Sequence, residues 1–501
     1  MPIPESQAAP QAAPQEAPQE ALAPRARWAL ASLSLAMLMP SLDTSIANAA
    51  LPSLAQTLEA SFQQVQWIVL AYLLAITTLI ASAGRLGDQW GRRRALLAGI
   101  ALFTLASLCC GLAPGLGWLL AARTLQGLGA AVMLALSMAL VGDALPKART
   151  GAAMGWLGSM SALGTTLGPA LGGLILASVG WRWMFLVNVP LGLVALLLAW
   201  RCLPPDRPVA SASAFDVPGS LLLALSLGAY ALALTLGHNL LAPLNLGLLV
   251  ASVVGVALLV RVERRAAAPL FQPALLRRPQ LRSSLWLSLL VSTVIMTTLV
   301  VGPFYLARGL GLGSLAVGLS LSLGPLVATL CGAPAGRLVD RYGARPLSRL
   351  GLLGLCGGLG LLALLPRSLG LAGYLLPLAL VTASYALFQT ANNSLVMRDV
   401  APQQRGLTAG LLSLSRNLGL ISGAAAMGAL FAWGSGPQAG VEAVSRGMHW
   451  TFGVAALLML LALLSAGRNR LSEEAGSPFI SRLLAHKPTY MILDDHEIED
   501  N

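Results

Sequence analysis

Residues 84–94 read Gly84-Arg85-Leu86-Gly87-Asp88-Gln89-Trp90-Gly91-Arg92-Arg93-Arg94, and half a chain later residues 336–345 read Gly336-Arg337-Leu338-Val339-Asp340-Arg341-Tyr342-Gly343-Ala344-Arg345. Both copies keep the frame G-R-L-x-D-x-x-G, and each directly follows a long apolar run. Two such copies in equivalent loops divide the chain into repeated halves. Glycines let two helices and a tight turn approach closely, and Asp and Arg can pair across a gate. Gly84, Asp88, Gly91, Arg92, Gly336, Asp340 and Gly343 are therefore read as gating residues, with Asp143 as the partner of the arginine cluster. Arginines that only anchored topology would leave Asp88 and Asp340 unexplained.

The runs around these loops decide the class. The chain has 501 residues, 56% of them hydrophobic and 10% charged, with a mean hydropathy of +0.74. Soluble domains carry about 25% charged residues, so most of this chain cannot face water. A hydrocarbon core of about 30 Å needs about 20 apolar residues per crossing. On that ruler there are fourteen segments: 28–50, 66–83, 95–112, 117–141, 151–178, 183–200, 218–236, 244–260, 284–306, 313–334, 350–366, 371–394, 406–432 and 449–467. The seventh and eighth carry little beyond hydrophobicity.

Charge placement tests that count independently. The net charge is +12, from 32 Lys and Arg. With the first tail and every second loop on the cytoplasmic side, only Arg182, Arg308, Arg367 and Arg446 fall in the opposite loops, and only Arg123 and Arg416 inside helices. That is the positive-inside pattern, and it puts both termini in the cytoplasm. The same distribution excludes a nucleic-acid partner, because the basic residues punctuate apolar runs and form no stripe.

The reading is all-α: residues 1–27 a disordered cytoplasmic tail, 28–203 a first six-helix bundle, 204–283 linkers and two inserted helices, 284–467 a second six-helix bundle, and 468–501 a disordered cytoplasmic tail. The Pro-, Ala- and Gln-rich start cannot bury a core, and it lacks the basic opening of a secretory signal. Cys109, Cys110, Cys202, Cys331 and Cys356 have no metal-ligand spacing and are read as small core residues.

Of the twenty acidic residues, only Asp43 falls inside a helical segment. A charge at the bilayer centre costs about 2.5–3.5 kcal/mol on insertion scales, which suggests a cavity-facing role. Burial favours the protonated form of a carboxylate, the behaviour a proton carrier needs. Arg123 and Arg416 are the embedded cations, and either could stabilise ionised Asp43; a static ion pair that fixes helix packing is the plainer alternative. Gly164, Gly168 and Gly172 recur at four-residue spacing and make a smooth face for close helix contact, and Pro169 can bend that helix. Asn48, Trp67, Tyr72, Gln126, Asn188, Gln389, Asn392, Asn393 and Arg416 are candidates for a substrate cavity, or for bonds to neighbouring helices.

The repeated loop resembles the signature of the major facilitator superfamily, whose members are two six-helix bundles rocking about a central site. Further stretches resemble its fourteen-helix drug:proton antiporter branch (EmrB/QacA type). They are Leu42-Asp43-Thr44-Ser45-Ile46-Ala47-Asn48-Ala49-Ala50-Leu51-Pro52, Gln66-Trp67 with Tyr72, Arg123-Thr124-Leu125-Gln126-Gly127, Gly164 to Gly173, and Trp181 to Pro190. Ser45 stands where Thr is usual, and the second loop copy ends in a thinned basic cluster. The resemblance implies a secondary exporter in the bacterial inner membrane that exchanges inward protons for small amphiphilic compounds. It implies Asp43 and Arg123 as the proton-coupling pair, and Gly164, Gly168, Pro169, Gly172 and Gly173 as a seal between the halves. It implies no cofactor, with the proton gradient as the energy source, and partners limited to substrates, protons and membrane lipid; a periplasmic adaptor and outer-membrane channel are compatible additions. No nucleotide-binding loop occurs in the sequence. Export of one defined metabolite is the alternative, and a membrane enzyme or a transport-fold sensor are more distant ones. Pro488-Thr489-Tyr490-Met491-Ile492-Leu493-Asp494-Asp495-His496-Glu497 resembles a metal-binding fragment of alkaline-phosphatase-like metallophosphoesterases, but nothing else of such a domain follows, so the tail is expected to be non-catalytic.

Overall fold

Among the residues the structure describes, fourteen helices are long and apolar enough to cross a membrane. They appear in a computed structural model that describes residues 24–144, 147–206, 216–236, 242–264, 278–398, 400, 405–436 and 440–475. In chain order they are α1 (Pro24–Thr57), α2 (Phe62–Trp90), α3 (Arg92–Gly111), α4 (Leu116–Ala144), α5 (Lys147–Ser178), α6 (Arg182–Cys202), α7 (Val217–Thr235) and α8 (Pro243–Glu263). The second half is α9 (Pro279–Phe304, continued by the π turn Tyr305–Gly309), α10 (Ser314–Tyr342), α11 (Ala344–Leu364), α12 (Gly370–Arg398), α13 (Arg405–Ser422, continued through Gly423–Met427 and Gly428–Ser435) and α14 (Val441–Ala475). Among the described residues no strand occurs.

Most helix ends run beyond the hydropathy reading. At 1.5 Å per residue, the 34 residues of α1 span about 51 Å, well beyond a core of about 30 Å. The ends therefore stand in the headgroup region, where charged residues continue a helix without cost to it. Hence α1 begins at Pro24, α9 at Pro279, and α14 runs on to Ala475. Residues 1–23 and 476–501, with the stretch 488–497, lie outside the described residues.

The same effect corrects the placement of the repeated motif. Gly84 to Trp90 form the last turns of α2, and Gly336 to Tyr342 the last turns of α10. Only the last glycine of each copy makes the turn, Gly91 at φ +96 and Gly343 at φ +86, a region where a side chain is strained. It also corrects the acid count: Asp88, Asp143, Glu263, Asp340, Glu442, Glu473 and Glu474 lie on helices too, all near their ends. Asp43 alone among them sits at mid-helix.

The helices α1–α6 pack as one bundle and α9–α14 as another. Of the inserted pair, α7 stands at the seam between them and α8 packs on α7. Trp67 and Ser82 of α2 bond Thr235 and Ser220 of α7 at 3.0 Å each, and Tyr230 of α7 donates to Ser422 of α13 at 3.2 Å.

At the end of the helices opposite the repeated motif, side chains join the halves. Phe62 of α2 meets Phe304 of α9 and Phe431 of α13 at centroid distances of 4.7 and 5.1 Å. Gly173 of α5 faces Gly318 of α10 so closely that a β-carbon on Gly173 would lie 2.6 Å from Ser314 O. This far end is closed. Between it and the motif-bearing end lies a central cavity of about 570 Å³, walled by α1, α2, α4 and α5 on one side and α9, α10, α12 and α13 on the other.

Candidate functional site

Two constellations occupy the first bundle, one at the middle of the membrane and one at the motif-bearing end. The central one starts from the stretch Arg123-Thr124-Leu125-Gln126-Gly127. Arg123 and Gln126 are three apart and share a face of α4. Gly127 lets α2 close on that face: a β-carbon there would lie 2.6 Å from Tyr72 O and 2.8 Å from Ala75 Cβ. This close approach lays the Tyr72 ring over the guanidinium, 4.3 Å from its carbon, while Phe185 of α6 covers another side at 5.6 Å.

Asp43 of α1 closes the arrangement. Its Oδ2 accepts from Arg123 Nη1 in a short ion pair that is fully buried, with side-chain exposures of 1% and 0%. Its Oδ1 accepts from Gln126 Nε2 at 2.9 Å and from Asn188 Nδ2 at 2.8 Å. Arg123 further donates from Nη1 to Gln126 Oε1 at 2.6 Å and from Nε to Ile68 O at 3.0 Å. Gln126 Nε2 reaches Ser107 Oγ at 2.8 Å. One carboxylate thus ties together α1, α4 and α6 directly, and α2 and α3 through Arg123 and Gln126. Removing one member of a buried, hydrogen-bonded pair typically costs about 3–5 kcal/mol.

The expected cavity-facing role of Asp43 needs correction. Asp43 and Arg123 do not line the central cavity; Tyr72, whose hydroxyl donates to Pro40 O at 3.2 Å, stands in the wall between them. The reason is geometric, since Asp43 points to the bundle interior while Thr44, Ser45 and Asn48 of the same helix present the adjacent face to the cavity. Of the expected cavity residues, Asn48, Tyr72 and Arg416 line it. Gln126 and Asn188 belong to the Asp43 network instead, Trp67 bonds the inserted α7, and Asn392 donates to Ser284 O at 3.3 Å. Asn393 is exposed away from the cavity. Arg416 does not pair with Asp43; it lies across the cavity on α13 and makes no ion pair among the described residues.

The glycine ladder of α5 is divided between two tasks. A β-carbon on Gly164 would lie 2.6 Å from Leu38 O, and one on Gly172 3.2 Å from Ile46 Cα, while Gly168 sits against Ser45. These three form the smooth contact with α1 inside one bundle, so they do not seal the halves. That contact falls to Gly173 and to Pro169, whose carbonyl oxygen abuts Gly318 of α10.

At the motif-bearing end, Arg92 Nε donates to Asp88 Oδ1 at 3.0 Å and Nη1 to Asp143 Oδ2 at 3.2 Å. The anticipated Asp143 partnership is present, but it joins α2, α3 and α4 within one bundle and does not cross to the other. The turn at Gly91 folds α3 back so that Arg92 falls beside Asp88, one helical turn away. The second copy is built differently: Asp340 is exposed and forms no ion pair among the described residues.

Sequence reading missed Asp206. Its Oδ1 accepts from Arg93 N at 2.7 Å and its Oδ2 from Arg94 N at 3.3 Å. It therefore caps the N–H groups at the start of α3 from the beginning of the connection that follows α6, where a carboxylate is favoured by the helix dipole. The only sequence signal was an acid after Pro204-Pro205 in an otherwise basic stretch.

Comparisons with known proteins agree with this architecture. Residues 33–424 match the family described as the Major Facilitator Superfamily. An uncharacterized transporter, YebQ of Escherichia coli, is 34% identical over 447 residues, covering 89% of this chain and 95% of that one. The multidrug resistance protein Stp of Mycobacterium tuberculosis is 33% identical over 406 residues (80% and 75% covered), and the riboflavin transporter RibZ of Clostridioides difficile is 30% identical over 410 (80% and 87%). Among solved structures, a bacterial homologue of the human lysosomal transporter Spinster, inward-facing and unoccupied, superposes with a TM-score of 0.68 at 16% identity, covering 91% of this chain and 99% of that one.

Proposed function

We propose that this chain, which belongs to the Major Facilitator Superfamily, is a proton-coupled exporter of small amphiphilic compounds working by alternating access. Membership makes it a multi-pass membrane transporter rather than an enzyme. Relatives named as multidrug resistance proteins support efflux, and the motif set supports the fourteen-helix drug:proton antiporter branch.

The observation that carries the reading is the buried Asp43–Arg123 pair, one tyrosine ring away from the cavity. A proton on Asp43 cancels the charge that holds Arg123, Gln126 and Asn188 together. Arg123 then lacks a counter-charge in a low-dielectric site, an arrangement that is costly unless the helices rearrange. The helix that must respond is α1, which carries Asp43 on one face and cavity hydroxyls on the next, and whose contact with α5 is smooth enough to slide. Loading and unloading the proton thereby biases two arrangements of one element. With the basic, motif-bearing end in the cytoplasm, the closed far end makes the present arrangement inward-facing.

The test is transport in sealed proteoliposomes against a panel of dyes and antibiotics, with and without an imposed pH gradient. Accumulation that follows the gradient in wild type and stops in Asp43→Asn is the expected result. Gradient-driven transport of equal rate in both would overturn the coupling assignment. A second reading, export of one defined metabolite, is favoured by the riboflavin transporter among the relatives; transport of a single compound out of the whole panel would select it.

A further inference from the structure

The central cavity is asymmetric in charge. Its first-bundle wall is apolar at Leu73, Ile76, Ile80, Leu134 and Met138, with hydroxyls of α1 and α5 above. Its second-bundle wall holds Arg416, exposed to the cavity on the face of α13 that also presents Ser413, Asn417 and Leu420. No Asp or Glu lies in the wall among the described residues. The other embedded arginine, Arg123, is already neutralised by Asp43, so it contributes no free charge. Arg416 is left as one uncompensated positive charge facing an apolar surface, in a cavity of drug-like size.

Resting on the exporter reading above, we propose that this cavity selects amphiphilic monoanions, a carboxylate or sulfonate seated on Arg416 with its apolar body against the α2–α4 wall. A planar guanidinium presents paired N–H groups that match the two oxygens of such a group. Closure of the cavity during transport sharpens the preference. While the cavity is wet, water satisfies Arg416; when the halves close around it, the cation loses that water and needs a partner, because an unpaired buried charge is strongly disfavoured. An anionic substrate supplies the partner and so permits closure. A cation adds a second unpaired charge and opposes it.

The experiment uses a matched pair of fluorescent probes, anilinonaphthalenesulfonate and phenylnaphthylamine, which share a ring system and differ by the sulfonate, with ethidium as a monocation. Binding to the purified full-length protein is measured in neutral detergent. Wild type is expected to bind the sulfonate more tightly than its neutral twin, and ethidium least. Arg416→Gln is expected to weaken sulfonate binding about ten- to a hundredfold, the scale of one lost charged hydrogen-bonding partner, while leaving phenylnaphthylamine within about twofold, and Arg416→Lys to retain the preference for the sulfonate. Unchanged sulfonate affinity in Arg416→Gln, or preferred binding of ethidium by wild type, overturns the proposal. The wild-type comparison and Arg416→Lys decide the matter if the glutamine variant does not fold. Repeating the titration in phosphatidylcholine vesicles with and without phosphatidylglycerol separates a soluble anion from a lipid headgroup. Displacement of the sulfonate by phosphatidylglycerol would make lipid the occupant and overturn the substrate assignment. Because binding needs no gradient, Arg416-dependent binding without gradient-driven transport would sink the exporter reading and leave this one standing.

Discussion

Asp43→Asn is the perturbation whose cost follows most directly from the structure. The carboxylate accepts three hydrogen bonds, one on Oδ2 from Arg123 and two on Oδ1 from Gln126 and Asn188. An asparagine offers one acceptor oxygen and one NH₂ group in the same shape. Keeping its oxygen toward Arg123 turns its NH₂ group toward Gln126 and Asn188. Asn188 can answer by flipping, because its Oδ1 has no partner in the wild-type arrangement. Gln126 cannot, since its Oε1 is held by Arg123 at 2.6 Å and its Nε2 by Ser107 at 2.8 Å. One donor is left facing another, a loss of about 1 kcal/mol for the bond and more if Gln126 stays unpaired. The buried guanidinium without its counter-ion costs more than this, bringing the total toward about 3–5 kcal/mol. The variant should therefore be folded but distinctly less heat-stable, as well as uncoupled. Adding Arg123→Met removes the orphaned charge, and the double variant should recover most of the lost thermal stability while transport stays absent. Thermal unfolding of the purified proteins in one detergent, followed by tryptophan fluorescence, measures this. A single Asp43→Asn variant as stable as wild type, or a double variant worse than the single, would refute the idea that an unpaired Arg123 dominates the cost.

The other expectations are smaller in scope. Gly173→Ala places a β-carbon 2.6 Å from Ser314 O and 3.1 Å from Gly318 Cα, backbone atoms that cannot yield; the far end should open, seen as a longer distance between spin labels at Gln56 and Gly313. On the same helix Gly158→Ala meets nothing within 4 Å and should be neutral or stabilising by up to about 1 kcal/mol, with the label distance unchanged. Asp206→Ala strips the cap from α3, costing about 1 kcal/mol, and hydrogen exchange at residues 93–95 should rise without a change at the Asp43 network. Tyr72→Phe keeps the ring on Arg123 and loses the hydroxyl's bond to Pro40 O, about 1 kcal/mol. Tyr72→Ala opens the wall between cavity and ion pair, and vesicles carrying it should lose an imposed pH gradient faster than wild type, read with an entrapped pH-sensitive dye.

Much of this molecule was legible in its sequence, for reasons rooted in the bilayer. A solvent that cannot satisfy backbone polar groups forces long apolar helices, so hydropathy sufficed for the fourteen crossings, and the repeated motif for the two halves. Chemistry at mid-membrane was equally legible, because a lone Asp43 in an apolar run demands a partner, and only Arg123 and Arg416 were available. Which arginine answers it was a matter of tertiary structure. Gly127 brings α2 against α4, Tyr72 is thereby laid over Arg123, and the pair is walled off from the cavity that Asp43 alone had seemed to face. Helix periodicity could not decide this, since Asp43, Thr44 and Asn48 are near neighbours on one helix and their separation into interior and cavity faces depends on where the surrounding helices pack. The same limit hid the split of the glycine ladder between α1 and α10, and the cap that Asp206 places on α3 across more than a hundred residues of chain. Sequence sets which segments leave water and which charges need partners; the packing of those segments decides which charge meets which, and it leaves Arg416 facing the cavity with its charge unmatched.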